Sequence, residues 1–161
     1  MKSIFSLALA ALILFSFVAC GDGEDADMSY RHTYCEIALD LPTSYAEVES
    51  DSYDALFTSG EAYVGISRLS FAGIENDDLD GSMFPDTVAR KYAQSNGLDV
   101  EISDKDEYSY FVYTDGGYYN LIAFYRSKYA HFIVRFVCIE EKTDKFASDF
   151  LRYAAGVKFT Q

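Results

Sequence analysis

The chain has 161 residues, with 26 acidic against 13 basic side chains and a formal charge of −13. Binding to nucleic acid or anionic head groups needs clustered Lys and Arg that compensate phosphate charge, so this balance excludes both as principal partners. The 14 tyrosines and 13 phenylalanines supply bulk for one folded core.

Lys2 is the only charge before Asp22, and residues 4–19 are apolar apart from two serines. A basic start followed by a hydrophobic run reads as a signal peptide over residues 1–19. As a helix the run would rise roughly 24 Å, short of a hydrocarbon core of about 30 Å, so a permanent spanning anchor is disfavoured. Ordinary secretory cleavage wants small residues at both ends of its triplet, and Phe17-Val18-Ala19 places a ring at one of them. Phe17-Val18-Ala19-Cys20 instead resembles the lipobox of bacterial lipoproteins, with Phe17 where leucine is more usual. The resemblance implies that Cys20 is the lipidation site and anchors the chain to a membrane through several acyl chains.

Behind Cys20 lies Gly21-Asp22-Gly23-Glu24-Asp25-Ala26-Asp27, which offers nothing to bury, so residues 20–29 are expected to form an acidic, flexible tether. Acids directly behind the lipidated cysteine also resemble the surface-export signal of Bacteroidetes lipoproteins. That implies an outer-membrane or cell-surface location; a plain hydrophilic spacer, facing the periplasm, is the alternative.

Residues 30–161 are expected to form a single α+β domain. Cys35, Ile37, Leu39 and Leu41 alternate with Tyr34, Glu36, Ala38 and Asp40, which predicts a half-buried strand ending at Pro42. Residues 53–57 and 62–71 read as a hairpin around Thr58-Ser59-Gly60-Glu61. A polar stretch over 73–82 precedes a helix that starts at Pro85 and Asp86, shows Val88, Ala89, Tyr92 and Ala93 on one face, and stops at Asn96-Gly97.

Strands are then expected over 99–103, 108–114, 118–126 and 129–140, with a tight hairpin at Asp115-Gly116-Gly117. Leu121-Ile122-Ala123-Phe124 and Ile133-Val134-Arg135-Phe136 are apolar in both registers, which argues for central strands covered on both faces. Residues 142–155 predict a helix capped by Thr143, with Phe146, Ala147, Phe150, Leu151 and Ala154 at helical spacing. Gly156 ends it before a short strand over 157–160.

This order resembles the PsbP-like and DcrB-like α/β/α sandwiches: an opening strand closing on Leu41-Pro42 with Tyr45 beyond, a mid-chain helix, a meander, and a final helix-Gly-strand. It covers nearly all of residues 30–160 and implies a largely antiparallel sheet flanked by helices. Members of that fold include photosystem accessory subunits, a nuclear-transport GTPase-binding protein and bacterial envelope lipoproteins, so the analogy points to binding or scaffolding and leaves the partner open.

Cys35 and Cys138 share the phase of their apolar neighbours and are expected to face one core, where they would form a disulfide or remain two buried thiols. Asn76, Asp78, Asp80 and Gly81 match positions 1, 3, 5 and 6 of a calcium loop, but its position 12 falls on Thr87 instead of Glu, and a solvated acidic loop explains the same residues. With two histidines and no paired cysteines at zinc spacing, no zinc site, and no other cofactor, is expected. His131, inside an apolar strand, reads as a hydrogen-bonded sheet histidine.

No nucleophile motif or phosphate loop is present, so no enzyme reading has a named residue behind it. The tyrosines Tyr108, Tyr110, Tyr113, Tyr118, Tyr119, Tyr125 and Tyr129 crowd one meander. Tyr118, Tyr119, Tyr125 and Tyr129 are the candidate ligand-binding set, either stacking on glycan or peptide or simply filling a two-sided sheet. The readings that remain are an accessory lipoprotein that binds another envelope protein, a surface binder of glycan or peptide, and an envelope enzyme, in that order.

Overall fold

The structure, a computed structural model, describes residues 29–73 and 80–160. Strands β1 (Ser29–Tyr34) and β2 (Ile37–Pro42) form an antiparallel hairpin with Tyr34 opposite Ile37. This corrects the single strand expected over 34–41. The chain reverses at Cys35-Glu36, with Cys35 at φ 48, a conformation uncommon for a residue with a side chain. Cys35 is therefore exposed, while Ile37, Ala38 and Leu39 are all buried, because β2 is the middle strand of a small sheet that packs on the last helix. The third strand of that sheet, β10 (Lys158–Phe159), comes from the C-terminal end.

The main sheet has seven antiparallel strands: β3 (Ala46–Val48), β4 (Ala55–Thr58), β5 (Ala62–Ser70), β6 (Ser103–Asp104), β7 (Tyr108–Asp115), β8 (Tyr118–Arg126) and β9 (Ala130–Ile139). Their spatial order is β3-β4-β5-β9-β8-β7-β6. The β7–β8 turn is the expected one: Gly116 and Gly117 both have positive φ, 57 and 80, as a two-residue hairpin twisted to match its strands requires. The strand expected over 99–103 contracts to the two residues of β6, since Val100 and Ile102 turn to pack beneath a helix instead.

Helix α1 (Pro85–Ser95) lies on one face of the sheet, against β7 and β8. Pro85 opens it, Asp86 lies in the first turn, and Leu98 N–H returns to Ala93 O at 2.9 Å past Gly97. Val88, Ala89 and Ala93 close over Phe111, Ile122 and Phe124. Helix α2 (Thr143–Ala155) lies on the other face with β2, enclosing the larger core of Leu39, Phe57, Val64, Leu121, Phe136 and Phe150. Its buried stripe is Phe146, Phe150, Tyr153 and Ala154; Tyr153 occupies the place expected of Leu151, which is exposed. Nor does Thr143 cap the helix. Its hydroxyl donates to Glu140 O at 2.7 Å, and the N-cap position is Lys142.

β8 and β9 are central, as their two-register apolar runs predict, and every residue of β8 from Asn120 to Tyr125 is buried. The architecture is α+β, an antiparallel sheet flanked by helices. α1 lies chiefly on β7 and β8, with its edge beside Leu69 of β5 and Ile133 of β9.

Candidate functional site

Along β9, Val134, Phe136 and Cys138 face α2, so Ile133, Arg135 and Val137 face the α1 side. Two rows cross this face. Tyr113, Asn120, Val137 and Tyr63 form one, and Phe111, Ile122, Arg135 and Gly65 the other. Over the second row lies Tyr53, from the loop before β4. A Cβ on Gly65 would sit 2.5 Å from its ring, so the glycine is what lets the ring lie on the strand. Ser50 Oγ accepts from the Tyr53 N–H at 3.1 Å and fixes that loop.

Arg135 is the centre of the arrangement. Its Nε and Nη2 donate to Asn120 Oδ1 at 3.0 and 2.7 Å. Nη2 also donates to the Tyr113 hydroxyl at 3.2 Å, and Nη1 to the Tyr53 hydroxyl at the long distance of 3.5 Å. Asn120 is 1% exposed, and its Nδ2 donates to Tyr118 O at 3.0 Å, which turns Oδ1 toward the guanidinium. Tyr63 packs beside Tyr53, ring centroids 6.2 Å apart.

All the partners of Arg135 are neutral. Among the described residues Arg31, Arg68, Arg90 and Arg152 are each ion-paired with a carboxylate, and Arg135 is not. Burial opposes its charge, but the oxygens of Tyr53, Tyr113 and Tyr63 more than offset that, leaving its pKa above the ordinary arginine value. Burial, and then Tyr53, push the Tyr63 phenol up to about 12. Burial also raises Tyr92 of α1, which feels the same cation. Four phenols thus surround one half-buried guanidinium, an arrangement suited to binding and orienting an anionic or polar group.

The expected tyrosine set does not form one surface, because neighbouring residues of a strand point to opposite faces. Tyr119 and Tyr125 lie on the α2 side. Tyr119 stacks on Phe150, and Tyr125, 2% exposed, donates its hydroxyl to Ala154 O at 2.8 Å. Tyr118 is exposed at the start of β8, and Tyr129 is exposed beyond its far end. Tyr129 instead lines a groove of about 620 Å³ with Arg126, Lys128 and Phe159.

The two cysteines are also apart, and both are free thiols. Cys138 is buried beside Ala62 and Tyr119. Cys35 lies in the β1–β2 turn, next to Glu36, which is ion-paired with Arg68. Arg68 pairs with Phe132, six residues from Cys138 along β9, or about 20 Å at 3.3 Å per residue. A bridge needs Cα atoms within about 7 Å. The core-facing phase read for Cys35 fails because the turn falls on it.

Of the calcium candidates, Asn76 and Asp78 lie outside the described residues, as does Cys20. Asp80 accepts from the Ser82 N–H at 2.6 Å and from the Ser82 hydroxyl, which hold its carboxyl below the usual range. Among the described residues no three His, Cys, Asp or Glu side chains gather as metal ligands. His131 is buried against Phe71, and its Nε2 lies 2.9 Å from Asp80 O, where only an N–H can be bonded.

No protein-family model matches the sequence, and no curated protein matches it. Solved structures do. The solution structure of cyanobacterial PsbP (CyanoP) from Synechocystis sp. PCC 6803 superposes with a TM-score of 0.58 over 89% of this chain and 99% of that one, at 12% identity. The fold is PsbP-like. A crystal structure from Bacteroides thetaiotaomicron VPI-5482 aligns with a TM-score of 0.50, also at 12% identity, over 78% of this chain and 45% of that chain. At such identities the likeness concerns the PsbP-like backbone alone, so the Arg135 cluster is argued from its own geometry.

Sequence reasoning missed Arg135, Asn120, Tyr53, Tyr63 and Tyr92. A signal was available: with His131, Asn120 and Arg135 are the polar residues inside two strands otherwise apolar or aromatic in both registers.

Proposed function

We propose that this chain is a non-catalytic accessory lipoprotein, tethered through Cys20 to the outer membrane or cell surface, whose PsbP-like domain holds another envelope protein. The observation that carries the reading is the sheet face over β5 and β9. Beside α1 it presents Tyr53, Tyr63 and Arg135, with Tyr113 of β7 next to them, residue types that dominate binding energy at protein interfaces. The PsbP-like fold supports binding over catalysis only by analogy.

The test is affinity capture from detergent-solubilised envelope with the full-length chain and with Tyr63→Ser. Tyr63 is half-buried and its change leaves the Arg135 hydrogen bonds intact. Loss of a specific partner in the variant, by about thirtyfold in affinity, is the expected result, since a Tyr hot spot contributes on the order of 2 kcal/mol. Equal recovery with both proteins means that this face is not the interface. Palmitate labelling that persists in Cys20→Ala would remove the tether.

A further inference from the structure

We propose that the Nη1 end of Arg135, with the hydroxyls of Tyr53 and Tyr113, is a binding site for a carboxylate. The inference rests on the accessory reading only for the source of that group, an acidic side chain or chain terminus of the partner. A guanidinium has five N–H donors. Asn120 Oδ1 takes those of Nε and one from Nη2, and Tyr113 takes the other from Nη2. Nη1, with two N–H groups, has one contact, to Tyr53 at the 3.5 Å limit. Nε and Nη2 are therefore fully used, and the Nη1 edge is under-used.

That edge is flanked by hydroxyls on both sides. Tyr113 and Tyr53 each accept from Arg135, so each keeps its own proton to donate, and Tyr63 stands next to Tyr53. A carboxylate can accept from Nη1 and from the phenol O–H groups of Tyr53 and Tyr113, charge-assisted by the guanidinium. The position of the fork is fixed beforehand by a buried amide whose orientation is set by the Tyr118 carbonyl.

Charge points the same way. In a chain of −13, a half-buried cation surrounded only by neutral groups is the place where a carboxylate finds uncompensated positive charge. Arg126 also lacks an ion pair among the described residues, but it is exposed at the end of β8, where water screens it.

The experiment is a nuclear magnetic resonance titration of the full-length chain in detergent, following the backbone amides of Tyr113, Asn120 and Arg135. Sodium acetate, inorganic phosphate and sodium chloride are compared at equal ionic strength. Saturable shifts with acetate, none with chloride, and about tenfold weaker binding in Arg135→Lys are expected, because Lys keeps the charge and loses the fork. Tyr53→Phe with Tyr113→Phe leaves the Asn120 bonds in place and should weaken acetate binding by about threefold, which separates a missing site from a misfolded protein.

Shifts that track ionic strength alone, an unchanged affinity in Arg135→Lys, or phosphate binding more tightly than acetate would each overturn the proposal. Capture of a partner through Tyr63 without acetate saturation sinks this site and leaves the accessory reading standing. Acetate saturation without capture does the reverse.

Discussion

A single oxygen of Asn120 receives both Nε and Nη2 of Arg135, at 3.0 and 2.7 Å, from a side chain that is almost wholly buried. The pair joins β8 to β9 at the middle of the sheet and sets where the guanidinium points.

Asn120→Ala removes the acceptor and leaves two charged donors to be satisfied by water. The expected cost is about 2–3 kcal/mol, measured as a lower urea midpoint at unchanged slope. In an Arg135→Met background the same change should cost at least about 1 kcal/mol less, since the charge that needs the amide is gone. Additive losses would show that the two side chains are not coupled.

Gly65→Ala tests the neighbouring contact. Its new methyl would lie 2.5 Å from the Tyr53 ring, so the ring must move off β5. Destabilisation of about 1–3 kcal/mol is expected from the overpacking, together with loss of the Tyr53 contact to Arg135. Combining it with Tyr53→Ala should recover most of the Gly65 cost in thermal unfolding.

Acid sensitivity is expected from His32. Burial against Phe57 lowers its pKa below 6.5, with Glu47 only partly opposing, so it is neutral in the folded state. The unfolded chain binds this proton more readily, and the contribution is full above 6.5 and lost as pH falls through 6.5 toward the lower folded value. His32→Gln should flatten that part of a stability-against-pH curve.

At high pH the phenols act in the opposite sense. Tyr45 and Tyr63 are pushed up to about 12, and Tyr125 is raised well above the ordinary phenol value, in each case chiefly by burial. Their protonated forms favour the fold, so stability should hold to about pH 10 and fall as pH rises from there toward 12. Phenolate absorbance should then appear together with loss of far-ultraviolet dichroism. A gradual rise in a still folded protein would contradict these shifts.

Features set by near neighbours were legible in the sequence. Gly116-Gly117 dictates its own turn, Pro85 and Asn96-Gly97 bracket α1, and the two-register runs of β8 and β9 require cover on both faces. What was not legible depends on distant partners or on a residue acting against type. Cys35 is no ordinary turn residue, yet it takes positive φ, and that one reversal moves it from core to solvent. The tyrosines were countable, but their faces depend on strand parity, which separates Tyr118 from Tyr119. The Arg135 site draws on six elements, including the Tyr53 loop 82 residues away, and its assembly follows from register across the sheet.

The opposite face supplies the control for the whole reading. Tyr125 lies on the α2 side, where its hydroxyl donates to the carbonyl of Ala154 in the last turn of the helix. Tyr125→Phe keeps the ring, and Ala154 O retains a longer bond from the Val157 N–H at 3.4 Å, so the loss should be about 1 kcal/mol, the low end for a buried acceptor. Tyr125→Ala also empties a fully buried ring site and should cost about 3–5 kcal/mol. Hydrogen exchange at Gly156 and Val157 should quicken in both, more in the second. Because the change is on the α2 side of β8, Tyr125→Phe should leave acetate affinity at Arg135 within about twofold of the unmodified chain. A larger change would mean that the two faces are coupled through β8 and that the site is less local than its hydrogen bonds indicate.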